Sequence, residues 1–165
     1  MNTPKKVNIC EVGLRDGLQN EKSMLTTDQK VELLHGLIDA GFKVIEVGSF
    51  MHPVKVPQMA DTDEVLKRMG DVEGVELRAL IPNLRGVERA VKCGCKKAKL
   101  NVSASRMHNL KNLNRTPEES VAKFAEVCEA ATAAGIAISG SISMPFASPW
   151  EGITPVEDVD SLIEA

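Results

Sequence analysis

The chain is 165 residues long, 43% hydrophobic and 26% charged, which is enough for one domain with its own core and unlike a disordered or fibrous segment. A net charge of -3 gives no electrostatic basis for binding nucleic acid or an anionic membrane surface, and no apolar run approaches the ~20 residues that span a bilayer. The opening residues Met1 to Lys6 have no hydrophobic signal region behind them, so a cytoplasmic protein is expected, with Cys10, Cys93, Cys95 and Cys128 as free thiols.

In chain order, Val7 to Val12 is a short apolar run that reads as a first strand. Thr26 and Gln29 form a capping-box signature before an apolar stripe of Val31, Leu34, Leu37 and Ile38, and Gly41 stands where a helix stops. His35 falls in this helix, where a structural role is expected. Lys43 to Val47 is a second strand, Thr62 to Met69 a short helix, and Val75 to Ile81 a third strand. Leu84 to Cys93 reads as a helix closed by Gly94, and Ala98 to Val102 as strand four. Thr116-Pro117-Glu118-Glu119 caps a helix ending near Gly135. Ile136 to Ser143 is strand five, and Thr154-Pro155-Val156-Glu157 opens a last helix with the same signature.

Strands alternating with helices imply right-handed parallel units, in a single domain over residues 1–165. Two architectures satisfy the pattern: an open doubly wound sheet, or part of a (β/α)8 barrel. The turn after the first strand, Gly13-Leu14-Arg15-Asp16-Gly17, is not the dinucleotide-binding fingerprint. A complete barrel typically needs ~250 residues, so five strands would be an incomplete one.

Parallel α/β folds gather functional groups where strands end. Those positions hold Arg15 and Asp16 after strand one, Glu46 and Ser49 on and after strand two, Asn83 after strand three, Asn101 and Ser103 on strand four, and Ser143 on strand five. Glu46 interrupts the apolar run Val44-Ile45-Glu46-Val47, where a carboxylate is costly unless paired. An ion pair with Arg15 that ties two strands together is the structural alternative to a functional site. The three histidines, His35, His52 and His108, have no spacing that would place two imidazoles on one metal.

The segment Glu11 to Glu21, reading EVGLRDGLQNE, resembles the first-strand motif of the 3-hydroxy-3-methylglutaryl-CoA lyases. The wider superfamily of metal-dependent aldol-type barrels shares only the Arg-Asp-Gly-x-Gln core of it. Val44-Ile45-Glu46, Ser49-Phe50, Val56-Pro57-Gln58-Met59, Pro82 to Gly86, Ser103-Ala104-Ser105, Asn112-Leu113-Asn114 and Pro149-Trp150-Glu151-Gly152 continue the likeness in order along essentially the whole chain. The resemblance implies a (β/α)8 TIM barrel of which this chain carries the first five βα units. It also implies cleavage of 3-hydroxy-3-methylglutaryl-CoA to acetyl-CoA and acetoacetate with Mg²⁺ or Mn²⁺. By that likeness Asp16 is a metal ligand, Arg15 and Glu46 are catalytic, and Asn112, on the loop after strand four, contacts the CoA portion. Gln19 and Ser49 line the site or cap the turns that follow them. The implied partners are an acyl-CoA and a second copy of the chain, with no nucleic acid and no membrane.

Two departures bear on function. Ser139 stands where the family usually shows an arginine, which points to a divergent lyase or a relative with another acyl-CoA. Leu14 replaces a common proline. The family's later metal-binding His-x-His pair has no counterpart in these residues, so the chain reads as the N-terminal portion of a lyase, inactive on its own. A Claisen-type synthase of the same superfamily and a non-catalytic half-barrel are the rival readings.

Overall fold

Side-chain alternation along five short strands decides the architecture. The computed structural model describes residues 4–165; the sequence reading of residues 1–3 lies outside them. The strands are β1 (Cys10–Glu11), β2 (Val44–Ser49), β3 (Glu76–Leu80), β4 (Lys97–Ser103) and β5 (Ala137–Ser143). They pair in sequence order and all in parallel, from Cys10 opposite Val44 at one edge to Ser103 opposite Ser143 at the other. The helices α1 (Thr27–Asp39), α2 (Thr62–Met69), α3 (Leu84–Lys92) and α5 (Pro117–Ala133) connect them, with a shorter α4 (Arg106–Leu113) inserted after β4. Sequential parallel strands joined by helices curl into the incomplete barrel that the sequence predicts.

One face of the sheet is apolar. Ile45, Leu77, Ala79, Ala98 and Leu100 are buried there with Leu34 of α1, Val65 of α2, Val87 of α3 and Val127 of α5. Full burial of a side chain such as Ile45 contributes about 1.5–3 kcal/mol. Residues in the other phase, among them Glu46, Arg78, Lys99 and Asn101, line the concave face, where several bond one another. In β2 the pairing slips between Glu46 opposite Arg78 and Gly48 opposite Ala79, so Val47 is an extra residue. Glu46 and Val47 are both buried, the carboxylate among polar groups and the valine in the core. Gly48 is required just beyond, because a Cβ there would collide with the Thr62 side chain. The Thr62 hydroxyl accepts from the Ser49 N–H (3.2 Å) and donates to the Met59 carbonyl (2.9 Å), fixing α2 against β2.

Both capping boxes form: Thr26 with Gln29 at α1 and Thr116 with Glu119 at α5. Gly94 and Gly135, at φ 75 and 75, supply the left-handed residue that ends α3 and α5. Three expectations need correction. The first strand is only Cys10–Glu11 rather than Val7 to Val12, since Val7 and Ile9 are exposed. The segment after β4 is a helix: the Ser105 hydroxyl accepts from the His108 N–H (3.1 Å) and caps α4, so Asn112 lies on a helix and not a loop. Thr154 does not cap the last helix, α6 (Val156–Glu164); its hydroxyl donates to the Met144 carbonyl at 2.8 Å and Pro155 holds the cap position. Between β5 and α6 a small antiparallel pair, β6 (Ala147–Ser148) and β7 (Gly152–Ile153), also escaped the sequence reading.

Candidate active site

The turn after β1 is wound unusually tightly. Residues 13–17 form one π-helical turn in which the N–H groups of Arg15, Asp16 and Gly17 converge on the Val12 carbonyl at 3.1, 2.7 and 3.4 Å. Leu14, 1% exposed, anchors the turn in the core, so the neighbouring Arg15 is projected back over the sheet. The position that often holds proline is thus filled by an apolar side chain that serves as the pin.

Arg15 reaches Glu46. Its Nε donates to Glu46 Oε1, and its Nη1 donates to Asp16 Oδ1 at 2.7 Å. The Glu46 side chain is 0% exposed and receives a second cation, Lys99 Nζ, on Oε2 at 3.1 Å. A fully buried carboxylate is tolerable here because both oxygens are charge-paired. The sequence reading foresaw the Arg15–Glu46 pair but missed Lys99. Its signal was available: Lys99 lies between Ala98 and Leu100, which the strand alternation sends to the core, so the lysine must share the face of Glu46.

Arg15 also borders a cleft of about 90 Å³ at the C-terminal ends of the strands, together with Gln19, Asn101, Ser103, His108 and Asn112. Arg15, Gln19 and Asn112 are therefore brought together. Asp16 and Glu46 stand behind Arg15 and not on the cleft wall, and Ser49, fully buried with an unpartnered Oγ, does not border it either. Asn112 Nδ2 donates to His108 Nε2 at 3.2 Å, which leaves the proton of a neutral His108 on the buried Nδ1. His108 stacks on Trp150, ring centroids 5.7 Å apart, and Lys111 Nζ lies 4.5 Å from the Trp150 ring centroid. The α4 rim is held down by Asn109, 1% exposed, which accepts from the Ser103 N–H (3.0 Å) and donates to the Arg115 carbonyl (2.9 Å).

Chemically, this is an electrophilic pocket: a guanidinium fixed on two sides by carboxylates, with its Nη2 unpartnered among the described residues, beside amide donors. Toward a divalent cation it offers less. Asp16 is 58% exposed on the rim, and no group of three or more His, Cys, Asp or Glu that could hold a metal forms among the described residues. One carboxylate does not meet the six oxygen or nitrogen ligands such an ion takes.

Residues 6–163 match the family model described as HMGL-like. The mitochondrial hydroxymethylglutaryl-CoA lyase of Bos taurus is 44% identical over 155 residues, covering 93% of this chain and 48% of that protein. Its Gallus gallus counterpart is 44% identical over 149 residues, covering 90% of this chain and 50% of that protein. Among solved structures, the Bacillus subtilis HMG-CoA lyase superposes with a TM-score of 0.93 at 39% identity, covering 99% of this chain and 55% of that one. An Acinetobacter baumannii HMG-CoA lyase, solved in complex with coenzyme A and 3-methylmalate, gives 0.89 at 36% identity, covering 95% and 51%. The chain spans about half the length of the curated relatives it matches.

Proposed function

The chain belongs to the HMGL-like family, and from that premise we propose that it carries the arginine-bearing half of a carbon-carbon lyase site acting on 3-hydroxy-3-methylglutaryl-CoA or a close acyl-CoA. The observation that supports this reading is the placement of Arg15. It is locked between the fully buried Glu46 and Asp16, and one edge of its guanidinium is left for the cleft. In the proposed cleavage the tertiary hydroxyl loses its proton and becomes the ketone of acetoacetate. The adjacent carbon-carbon bond breaks, and its electron pair moves onto the thioester as an enolate, which takes up a proton to give acetyl-CoA. A guanidinium held in place before the charge develops stabilises that oxygen without reorganising. Glu46 positions Arg15, and Lys99 offsets the remaining charge of the buried carboxylate.

The proposal includes a divalent ion, Mg²⁺ or Mn²⁺, to which Asp16 would contribute one ligand; no group of three or more His, Cys, Asp or Glu that could hold it forms among the described residues. Asn112 and Gln19 are proposed to meet the acyl-CoA, which suits their place on the cleft wall. Ser49 is proposed only as a buried support under the site. Self-association is part of the reading: Phe146 before β6, Ile153 in β7 and Ile163 in α6 are 85%, 86% and 68% exposed, apolar side chains that a second copy would cover. A cytoplasmic setting agrees with four free thiols, while the vertebrate relatives are by name mitochondrial.

A second reading, another acyl-CoA as substrate, is favoured by one observation. Ser139 is bonded to the Ala98 carbonyl at 3.3 Å, so no cationic side chain reaches the cleft from that position. The test of the main reading is calorimetric titration of the chain with 3-hydroxy-3-methylglutaryl-CoA, repeated with Arg15→Gln. Loss of about tenfold or more in affinity is expected for removing a charged hydrogen-bond donor. Equal binding by the variant would remove Arg15 from the site and with it this reading.

A further inference from the structure

Asn101 lies on β4 two residues beyond Lys99, on the same concave face, and borders the cleft with Arg15. Its carbonyl oxygen is doubly engaged from the next strand. Ser141, its register partner, donates to Asn101 Oδ1 at 2.7 Å, and Ser143 donates to the same atom at 3.1 Å. Two hydroxyls on one oxygen fix the rotation of the amide, so its Nδ2 is turned away from β5. That NH2 has no partner among the described residues and is not buried. The result is a preoriented donor on the cleft side, next to the cations Arg15 and Lys99. Three small residues at Ser139, Ser141 and Ser143 leave the adjoining wall free of bulk.

We infer that Asn101 is a specificity-determining residue that donates from Nδ2 to an anionic oxygen on the acyl group of the substrate, held in that pose by Ser141 and Ser143. The inference rests on the acyl-CoA reading above and adds the side chain that reads the terminal carboxylate of the acyl group. An amide NH2 donates and never accepts, so it favours an acceptor, and the unpartnered Nη2 of Arg15 on the same cleft favours a charged one. An asparagine left free to flip would show either end of its amide to the ligand; the two serines remove that ambiguity and the rotamer entropy that goes with it.

The experiment is calorimetric titration of the full chain with glutaryl-CoA and with butyryl-CoA, which differ chiefly in the terminal carboxylate. The wild-type chain should prefer glutaryl-CoA by about tenfold, the factor carried by one hydrogen bond to a charged acceptor. Asn101→Leu, which keeps the branched outline of the side chain but has no donor, should reduce that preference to about twofold or less while leaving butyryl-CoA affinity in place. Retained butyryl-CoA binding also shows that the variant is folded. Ser141→Ala combined with Ser143→Ala keeps Asn101 but frees it, and should lose part of the preference, about threefold. If Asn101→Leu binds both thioesters with the wild-type preference, the inference is overturned and the acyl-CoA reading stands. If the wild-type chain binds neither thioester, the acyl-CoA reading falls and the inference falls with it.

Discussion

Glu46 is the residue on which most of the site depends. Its carboxylate is wholly out of water and neutralises Arg15 and Lys99, whose side chains are 14% and 18% exposed. Glu46→Gln keeps the volume but leaves Arg15 with Asp16 alone and Lys99 with no carboxylate partner among the described residues. Breaking a buried pair costs about 3–5 kcal/mol when the remaining charge is fully enclosed, and the partial exposure of both cations lowers the expected loss to about 2 kcal/mol. Lys99→Met should cost less than half of that, since Arg15 still pairs with Glu46. Urea unfolding midpoints rank the two variants; equal losses would show that the Lys99 pair carries most of what Glu46 contributes. A second residue-scale expectation concerns Cys95, whose thiol burial pushes up to about 11 from an ordinary value of 9.0, with its S–H directed at the Lys97 carbonyl. A thiol with a raised folded-state value resists ionisation that the unfolded chain permits. Its contribution is complete below pH 9, declines as pH rises and is gone above about 11, a span worth roughly 3 kcal/mol. The drop in unfolding free energy between pH 8.5 and 10.5 should therefore be smaller in Cys95→Ala than in the wild type.

At the scale of elements, capping chemistry separates what the sequence could disclose from what it could not. Thr26 and Thr116 begin helices as their local signatures require, because the capping box is satisfied within four residues. Thr154 carries the same local signature and fails, since its N–H and hydroxyl are both drawn to the 144–146 loop, by the Phe146 and Met144 carbonyls. That competition comes from tertiary contact, which spacing does not encode. Helix α4 went unseen for a related reason. Its anchor, Asn109, is a polar residue buried by bonds to Ser103, Arg115 and Ser120, and polar burial gives no hydrophobic period to read. Thr116→Ala should lower the stability of the chain by about 1 kcal/mol, the usual cost of an N-cap. Thr154→Ala should leave the melting of α6 unchanged as followed by amide exchange within 156–164, and should instead speed exchange of the residue-154 amide, whose N–H donates to the Phe146 carbonyl. Protection lost in α6 itself would restore Thr154 as its cap.

At the scale of the whole molecule, five parallel strand-helix units were legible because each helix-to-strand junction carries its glycine, while the pairing of the strands in sequence order followed only from the likeness to barrel lyases. The arginine and carboxylate of the site were legible too, because an acidic residue inside Val44 to Val47 demands a partner. Lys99 was missed although the alternation of β4 places it on the face of Glu46, and Asn101, a strand-end candidate in the sequence, gains its particular role only from the serines that β5 places beside it. The cation site shows the same dependence on a larger scale. Asp16 alone presents a carboxylate to the rim, and among the described residues no further ligand gathers around it. A divalent ion bound by one exposed carboxylate keeps nearly all of its water, so the 165-residue chain should bind Mn²⁺ only on the order of millimolar or more weakly. Calorimetric titration measures this directly, with Asp16→Ala removing what binding there is. Micromolar, Asp16-dependent binding would contradict the expectation. It would require that another copy bring carboxylates or imidazoles to the rim, and the same samples in light scattering would then have to show a dimer whose population rises with Mn²⁺.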